Sequence, residues 1–173
     1  MIPMQHKIIQ NAYVVNDVEE AVARCHQLWG LGPFFVRRNF VLEDVTYRGA
    51  PSALEISVAY VQSGELMVEL VTQLNDAPSA FRDVYAPGQE GFHHVAVEMD
   101  DHDSQVGHYR DLGFEVVTEL STPEGRGASY IDTRSALGHM VEVYKVNESL
   151  RDLYARVKQA SEDWNGETLT VDL

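Results

Sequence analysis

A chain of 173 residues with 45% hydrophobic composition can bury a core as one domain or as two small halves sharing an interface, and is not a disordered segment. Its 13 Lys and Arg against 27 Asp and Glu give a formal charge of −14, which repels phosphate backbones and anionic bilayers and argues against nucleic acid or a membrane as partner. The single Cys25 excludes an intrachain disulfide, the N-terminal M-I-P-M-Q-H-K lacks a basic region followed by an apolar stretch, and no apolar run reaches membrane-spanning length, so a soluble cytoplasmic protein is expected.

In chain order, an apolar strand around Q-N-A-Y-V-V leads through an acidic turn into a helix predicted over Val18–Trp29. Asp17 suits its N-terminus, where a carboxylate caps free N–H groups and meets the positive end of the helix dipole, and G-L-G-P stops it. Three strand-like runs follow at 34–42, 55–61 and 66–72, with G-A-P-S and S-G in the turns between them. The stretch 75–91, rich in Pro and Gly, reads as a linker with one short helical turn.

The same order then returns. The strand H-V-A-V-E from His94 repeats Q-N-A-Y-V from Gln10, Asp101 repeats Asp17, and a second helix is predicted over 102–112 with Gly113 as its stop. Strands at 115–119, 128–132 and 139–146 complete the repeat, whose last strand M-V-E-V (140–143) answers M-V-E-L (67–70). The predicted fold is α+β: tandem βαβββ modules at 5–74 and 92–147, forming a curved mixed sheet around a metal site. In the remaining segment, 148–173, Leu150, Leu153, Tyr154, Val157 and Ala160 share one face of an added helix at 149–164. Residues 165–173 read as a loose tail or a partner-binding strand.

Two polar residues interrupt apolar strands at matching points of each repeat: Gln10 and Glu69 in the first, His94 and Glu142 in the second. Taken singly, each has an ordinary reading as a strand-end amide, a cross-strand ion pair or a hydrogen-bonded core histidine. Together they lie on strand faces that read as buried, where a carboxylate is costly unless it is paired or holds a metal. One divalent cation would balance both glutamates. A set of one His, two Glu and one Gln suits Zn²⁺, Ni²⁺, Co²⁺, Fe²⁺ or Mn²⁺, and nothing in it selects among them.

At these residues the sequence resembles the vicinal oxygen chelate superfamily, which includes glyoxalase I, methylmalonyl-CoA epimerase and extradiol dioxygenases. The resemblance covers about residues 5–146. It is carried by Q-N-A-Y-V-V-N-D-V, M-V-E-L-V, G-F-H-H-V-A-V and G-H-M-V-E-V-Y, in which the second histidine, His94, is the ligand and His93 points to the opposite face. The resemblance implies a metal held by Gln10, Glu69, His94 and Glu142, with Glu142 also serving as catalytic base. It implies a glyoxalase-like metal-dependent isomerase, epimerase or lyase that acts on an α-oxygenated carbonyl compound through a metal-stabilised enolate or enediolate.

The alternatives are an Fe²⁺ ring-cleaving dioxygenase, which in this family calls for two His and one carboxylate, and a non-catalytic small-molecule binding protein. The second catalytic glutamate of the epimerases has no counterpart here, where the aligned neighbourhood reads S-A-L beside Glu55. Trp29, Phe34 and Phe35 are expected as apolar pocket walls, Arg37 or Arg38 as an anion contact or a solvated strand edge, and E-G-R-G at 124–127 as a lid or a plain turn. A small-molecule substrate and a homodimer complete the expectation, and no signature for glutathione or coenzyme A is present.

Overall fold

The computed structural model describes residues 6–98 and 101–173. Residues 1–5, which hold most of the N-terminal stretch and the expected start of the first module, and residues 99–100, in the second acidic turn, lie outside the described residues.

The elements run β1 (Lys7–Val14), α1 (Val18–Trp29), β2 (Phe34–Val41), β3 (Glu43–Tyr47), β4 (Ala50–Pro51), β5 (Glu55–Ser63), β6 (Leu66–Gln73) and α2 (Ala80–Val84). They continue β7 (Gly91–Glu98), α3 (His102–Asp111), β8 (Val116–Ser121), β9 (Gly127–Ile131), α4 (Arg134–Leu137), β10 (Met140–Lys145), α5 (Glu148–Glu162) and β11 (Thr170–Asp172). The helix signals work as read. Asp17 accepts from the Glu20 N–H at 3.0 Å and Asp101 from the Ser104 N–H at 3.0 Å. Gly30 closes α1 at φ 68°, a left-handed conformation that favours glycine.

All strands join one mixed sheet in the order β11-β2-β5-β6-β1-β7-β10-β9-β8-β3-β4. The architecture is the expected α+β pair of βαβββ repeats with an added C-terminal helix. The repeats meet at the antiparallel pair β1–β7, and each closing strand, β6 or β10, lies parallel to the opening strand of its own repeat. Strand alternation then divides the side chains between two faces. Val68 and Leu70 pack beneath α1, and Val141 and Val143 beneath α3. The intervening Met67, Glu69, Met140, Glu142 and Tyr144 project to the other, concave face. Across that face lies α5, whose Leu153 and Val157 pack with Phe35 and Met67. Burying such a leucine is worth about 2 kcal/mol, which seats the helix over the middle of the sheet.

Two features depart from the sequence reading. The strand expected to end near residue 42 turns into the β3–β4 flap, which crosses to the far edge of the sheet and pairs with β8 of the other repeat. Its polar sequence reads as a turn, because within β3 only Val45 is buried. The Arg48 guanidinium fastens the flap, donating to Asp83 at 2.7 Å and to Glu115. The tail forms β11, parallel to β2 of the same chain, with Arg38 donating to Asp172 at 2.5 Å. Among the described residues, no helix is long and apolar enough to cross a membrane.

Candidate metal centre

The register across β1–β7 is two-fold symmetric with respect to the repeat: Gln10 faces Ala96, and Ala12 faces His94. Each polar residue thus lies opposite the small residue of the other repeat. Both alanines are fully buried, and they leave room at the centre of the concave face. Glu69 lies beside Ala12 on β6, and Glu142 beside Ala96 on β10, so the two carboxylates flank this space from either side.

There His94 Nε2 stands 3.0 Å from Glu142 Oε2 and 3.4 Å from Glu69 Oε2. One donor atom from each of the three lies within 4.8 Å of the others, all from a single chain and all buried. Gln10 is fully buried in the same face, but its carbonyl oxygen accepts from the Tyr144 hydroxyl at 2.6 Å and the Tyr154 hydroxyl at 3.0 Å. Three of the four sequence-predicted residues therefore converge, while the fourth turns its oxygen toward two tyrosines.

The electrostatics favour a cation. Burial opposes charge on His94, but Glu142 and Glu69 outweigh it and hold its pKa up at about 9. Burial, together with the like charge of Glu142, raises Glu69. A single imidazole thus faces two buried carboxylates, and like charges so close are costly without a further cation. Glu69 Oε2 and Gln10 Nε2 have no hydrogen-bond partner of acceptable geometry among the described residues. A divalent ion replacing the His94 proton would neutralise both glutamates and use the imidazole as a neutral ligand, so the donor set fits such an ion.

Sequence reasoning missed a layer of hydroxyls around these groups. Tyr60 lies directly opposite Glu69 and Tyr130 directly opposite Glu142 on the paired neighbouring strands, and both line the cavity beside the carboxylates. Burial first, then the negative charge of the glutamates, pushes both phenols well above their ordinary range, so they remain donors. A signal was present: A-Y-V at 59–61 and S-Y-I at 129–131 occupy matching places in the repeats.

His93 is a correction. Simple alternation sends it to the face opposite His94, yet the two Nδ1 atoms are 2.8 Å apart. The register jumps from Ala12–His94 to Tyr13–Phe92, leaving His93 as the extra residue of a β-bulge, which turns its ring toward its neighbour.

A narrow cleft opens onto the carboxylates, lined by the polar Glu69, Glu142, Tyr60, Tyr130 and Tyr144 and by the apolar Phe40, Leu42, Ile56, Leu120, Leu150 and Leu153. The expected walls are corrected here. Phe34 packs beneath α1 on the other face, Phe35 sits in the α5 cluster, and Trp29 is exposed beside Tyr13. Glu55 alternates with the cavity-lining Ile56 and is directed elsewhere. Arg37 pairs with Glu124 at 2.9 Å, and Arg38 with Glu19 and Asp172.

Paired βαβββ repeats with inward-facing polar residues on the central strands define a class of fold, and the sequence agrees. Residues 9–131 match the Glyoxalase/Bleomycin resistance protein/Dioxygenase superfamily, and the chain belongs to this vicinal oxygen chelate family. Comparison with curated proteins finds no match. Among solved structures, a hypothetical protein from Bacillus halodurans C-125 is similar at 18% identity, with a TM-score of 0.58 over 84% of this chain and 97% of that one. Methylmalonyl-CoA epimerase from Mycobacterium tuberculosis is similar at 16% identity, with a TM-score of 0.57 over 84% and 91%. A Streptomyces coelicolor methylmalonyl-CoA epimerase variant in complex with 2-nitronate-propionyl-CoA is similar at 19% identity, with a TM-score of 0.52 over 82% and 94%. At these identities the likeness is one of fold.

Proposed function

We propose that the protein is a metal-dependent isomerase, epimerase or lyase acting on a small α-oxygenated carbonyl compound. Glu69, His94 and Glu142 hold one divalent ion of the Zn²⁺, Ni²⁺, Co²⁺, Fe²⁺ or Mn²⁺ kind, with Gln10 as a fourth and weaker ligand. The observation that carries this reading is the convergence of His94 Nε2 on two buried carboxylates at 3.0 and 3.4 Å. Such an ion supplies Lewis-acid polarisation of a substrate oxygen. Two modules at 5–74 and 92–147, joined by 75–91 and capped by 148–173, are the frame in this reading.

The remaining chemistry belongs to the chain. Glu142 faces the cavity and moves a proton at the carbon next to the substrate carbonyl, with the Tyr130 hydroxyl fixing its orientation. Tyr60 does the same for Glu69. The apolar walls and α5 exclude water from the reacting end. His93 adds no second imidazole ligand, since its two nitrogens face His94 and the Ala80 carbonyl, so the set keeps one His and two carboxylates.

Elemental analysis of protein purified without added metal, followed by chelation and reconstitution, is the direct test. About one tightly held ion per chain, lost in His94→Ala, is expected. Exchange of the proton next to the carbonyl in candidate substrates, measured in heavy water, should then require the ion and fall sharply in Glu142→Gln. Failure of the wild-type chain to take up metal, or full occupancy in His94→Ala, overturns the assignment.

A further inference from the structure

Arg126 lines the same cavity as the two carboxylates, and nothing so far accounts for it. Its side chain is 17% exposed, its Nε is buried with no hydrogen-bond partner among the described residues, and its Nη2 reaches Glu124 only at 3.4 Å. Glu124 is better served elsewhere, accepting from Arg37 at 2.9 Å. A guanidinium with donors to spare at the wall of an apolar cavity is costly unless a ligand completes it.

Its position relative to the metal centre follows from the strand. Tyr130 pairs with Glu142 and Ala128 with Tyr144, and Arg126 just precedes β9, four residues before Tyr130, with its guanidinium in the same cavity and near enough for its charge to act on the Tyr60 phenol. The apolar walls that Arg126 shares with the carboxylates include Phe40, Leu42, Leu120, Leu150 and Leu153. A divalent ion cancels the charges of Glu69 and Glu142, and His94 is neutral as a ligand. The loaded cavity then carries a single positive charge, that of Arg126, and selects a monoanion.

We infer that Arg126 is a substrate-binding residue that holds a terminal carboxylate, so that the substrate is an α-oxygenated carbonyl compound whose far end, beyond a short apolar segment, is a carboxylate. This rests on the metal-dependent reading above. The planar guanidinium suits a carboxylate through two parallel hydrogen bonds, and a dianionic phosphate would leave one charge uncompensated between apolar walls.

The test uses probes that report the far end separately from the metal. Protein reconstituted with Zn²⁺ is titrated calorimetrically with glutaric monohydroxamate, which offers two vicinal oxygens and a distant carboxylate. The comparison is pentanohydroxamate, of the same length but ending in a methyl group. The carboxylate-tailed probe should bind about tenfold tighter or more to the wild type. That preference should vanish in Arg126→Gln and survive in part in Arg126→Lys, with metal content and pentanohydroxamate binding unchanged in both. Equal binding of the two probes by the wild type, or a preference that survives Arg126→Gln, overturns the assignment. Metal content is read first. If the wild type takes up no ion, the metal-dependent reading fails, and Arg126 is judged on the metal-free protein with hexanoate against hexan-1-ol. A preference for hexanoate that Arg126→Gln abolishes supports the subsite, and equal binding removes it.

Discussion

His93 Nδ1 and His94 Nδ1 face each other at 2.8 Å in the core, so one must donate and the other accept. The Nε2–H of His93 donates to the Ala80 carbonyl at 2.9 Å, which leaves its Nδ1 as the acceptor. Burial first, then the neighbouring His94, pushes the pKa of His93 down to about 3, so it stays neutral and keeps that lone pair. His94 therefore donates through Nδ1 and keeps Nε2 for Glu69, Glu142 and an incoming ion. The bulge in β7 thus fixes which nitrogen of His94 can act as a ligand.

Removing the acceptor should weaken the metal centre without touching a ligand. His93→Leu is expected to lower metal affinity by about 10- to 100-fold, because the His94 ring loses the partner that orients it. His93→Gln, whose amide can accept from His94 and donate to Ala80, should retain most of the affinity. Competition against a chromophoric chelator reads the difference, and equal affinity in both variants would remove the orienting role.

Metal loading should depend on pH in a defined direction. Without an ion, folded His94 holds its proton up to about 9 against an ordinary 6.5, and Glu69 is likewise raised from 4.5. In both cases the folded chain binds more protons than the unfolded one, so the stability of the metal-free protein falls as pH rises. The Glu69 share is complete below 4.5 and is lost as pH climbs through its raised value; the His94 share is complete below 6.5 and is gone above about 9. An ion must displace the His94 proton, so affinity should grow about tenfold per pH unit over that upper window. Thermal melts with and without Zn²⁺ should diverge as pH rises, and parallel curves would contradict the linkage.

How much of this was legible in the sequence varies with the physical signal. The repeat carried Gln10, Glu69, His94 and Glu142, because a polar residue that recurs at matching points of two apolar strands is difficult to explain residue by residue. The period of two then gave the faces of β6 and β10 correctly. It failed at His93, where a bulge adds one residue to the strand and only the pairing register reveals it. It failed at β3–β4, whose polar residues gain their order by pairing with a strand more than seventy residues away. The stripe on α5 announced a buried face, but not that the face would roof the cavity and bring Tyr154 to Gln10. The walls were misassigned at Trp29, Phe34 and Phe35 because which apolar residues meet across a cavity depends on sheet curvature, which no local pattern encodes.

Gln10 should prove the least important of the four polar residues for the metal. Its oxygen already accepts from Tyr144 and Tyr154, so an ion must share it with two buried hydroxyls. Gln10→Ala is expected to reduce affinity by about tenfold, whereas His94→Ala should cost more than about a hundredfold. The larger effect of Gln10→Ala should be on folding, since leaving two buried hydroxyls unpaired costs about 1–3 kcal/mol for each group. Urea unfolding of the metal-free variants separates the contributions. A Gln10→Ala protein as stable as wild type but unable to hold metal would make Gln10 a principal ligand.

Leu153 and Leu54 are both buried leucines, 5% and 0% exposed, yet truncating them should have different consequences. Leu54 is packed in the core and does not line the cavity, so Leu54→Ala opens a closed void and is expected to cost about 4 kcal/mol, near the upper end for such changes. Leu153 lines the cavity from α5, so the space freed in Leu153→Ala joins an existing cleft that solvent can enter, and the loss should be about 2 kcal/mol. The same substitution should relax the apolar wall between the carboxylates and Arg126, improving the binding of branched hydroxamates relative to straight ones. Denaturant midpoints test the order of the two variants, and calorimetric titration tests the change in selectivity. A Leu153→Ala protein as destabilised as Leu54→Ala, with unchanged ligand preference, would show that α5 packs as ordinary core and does not form the roof of the cavity.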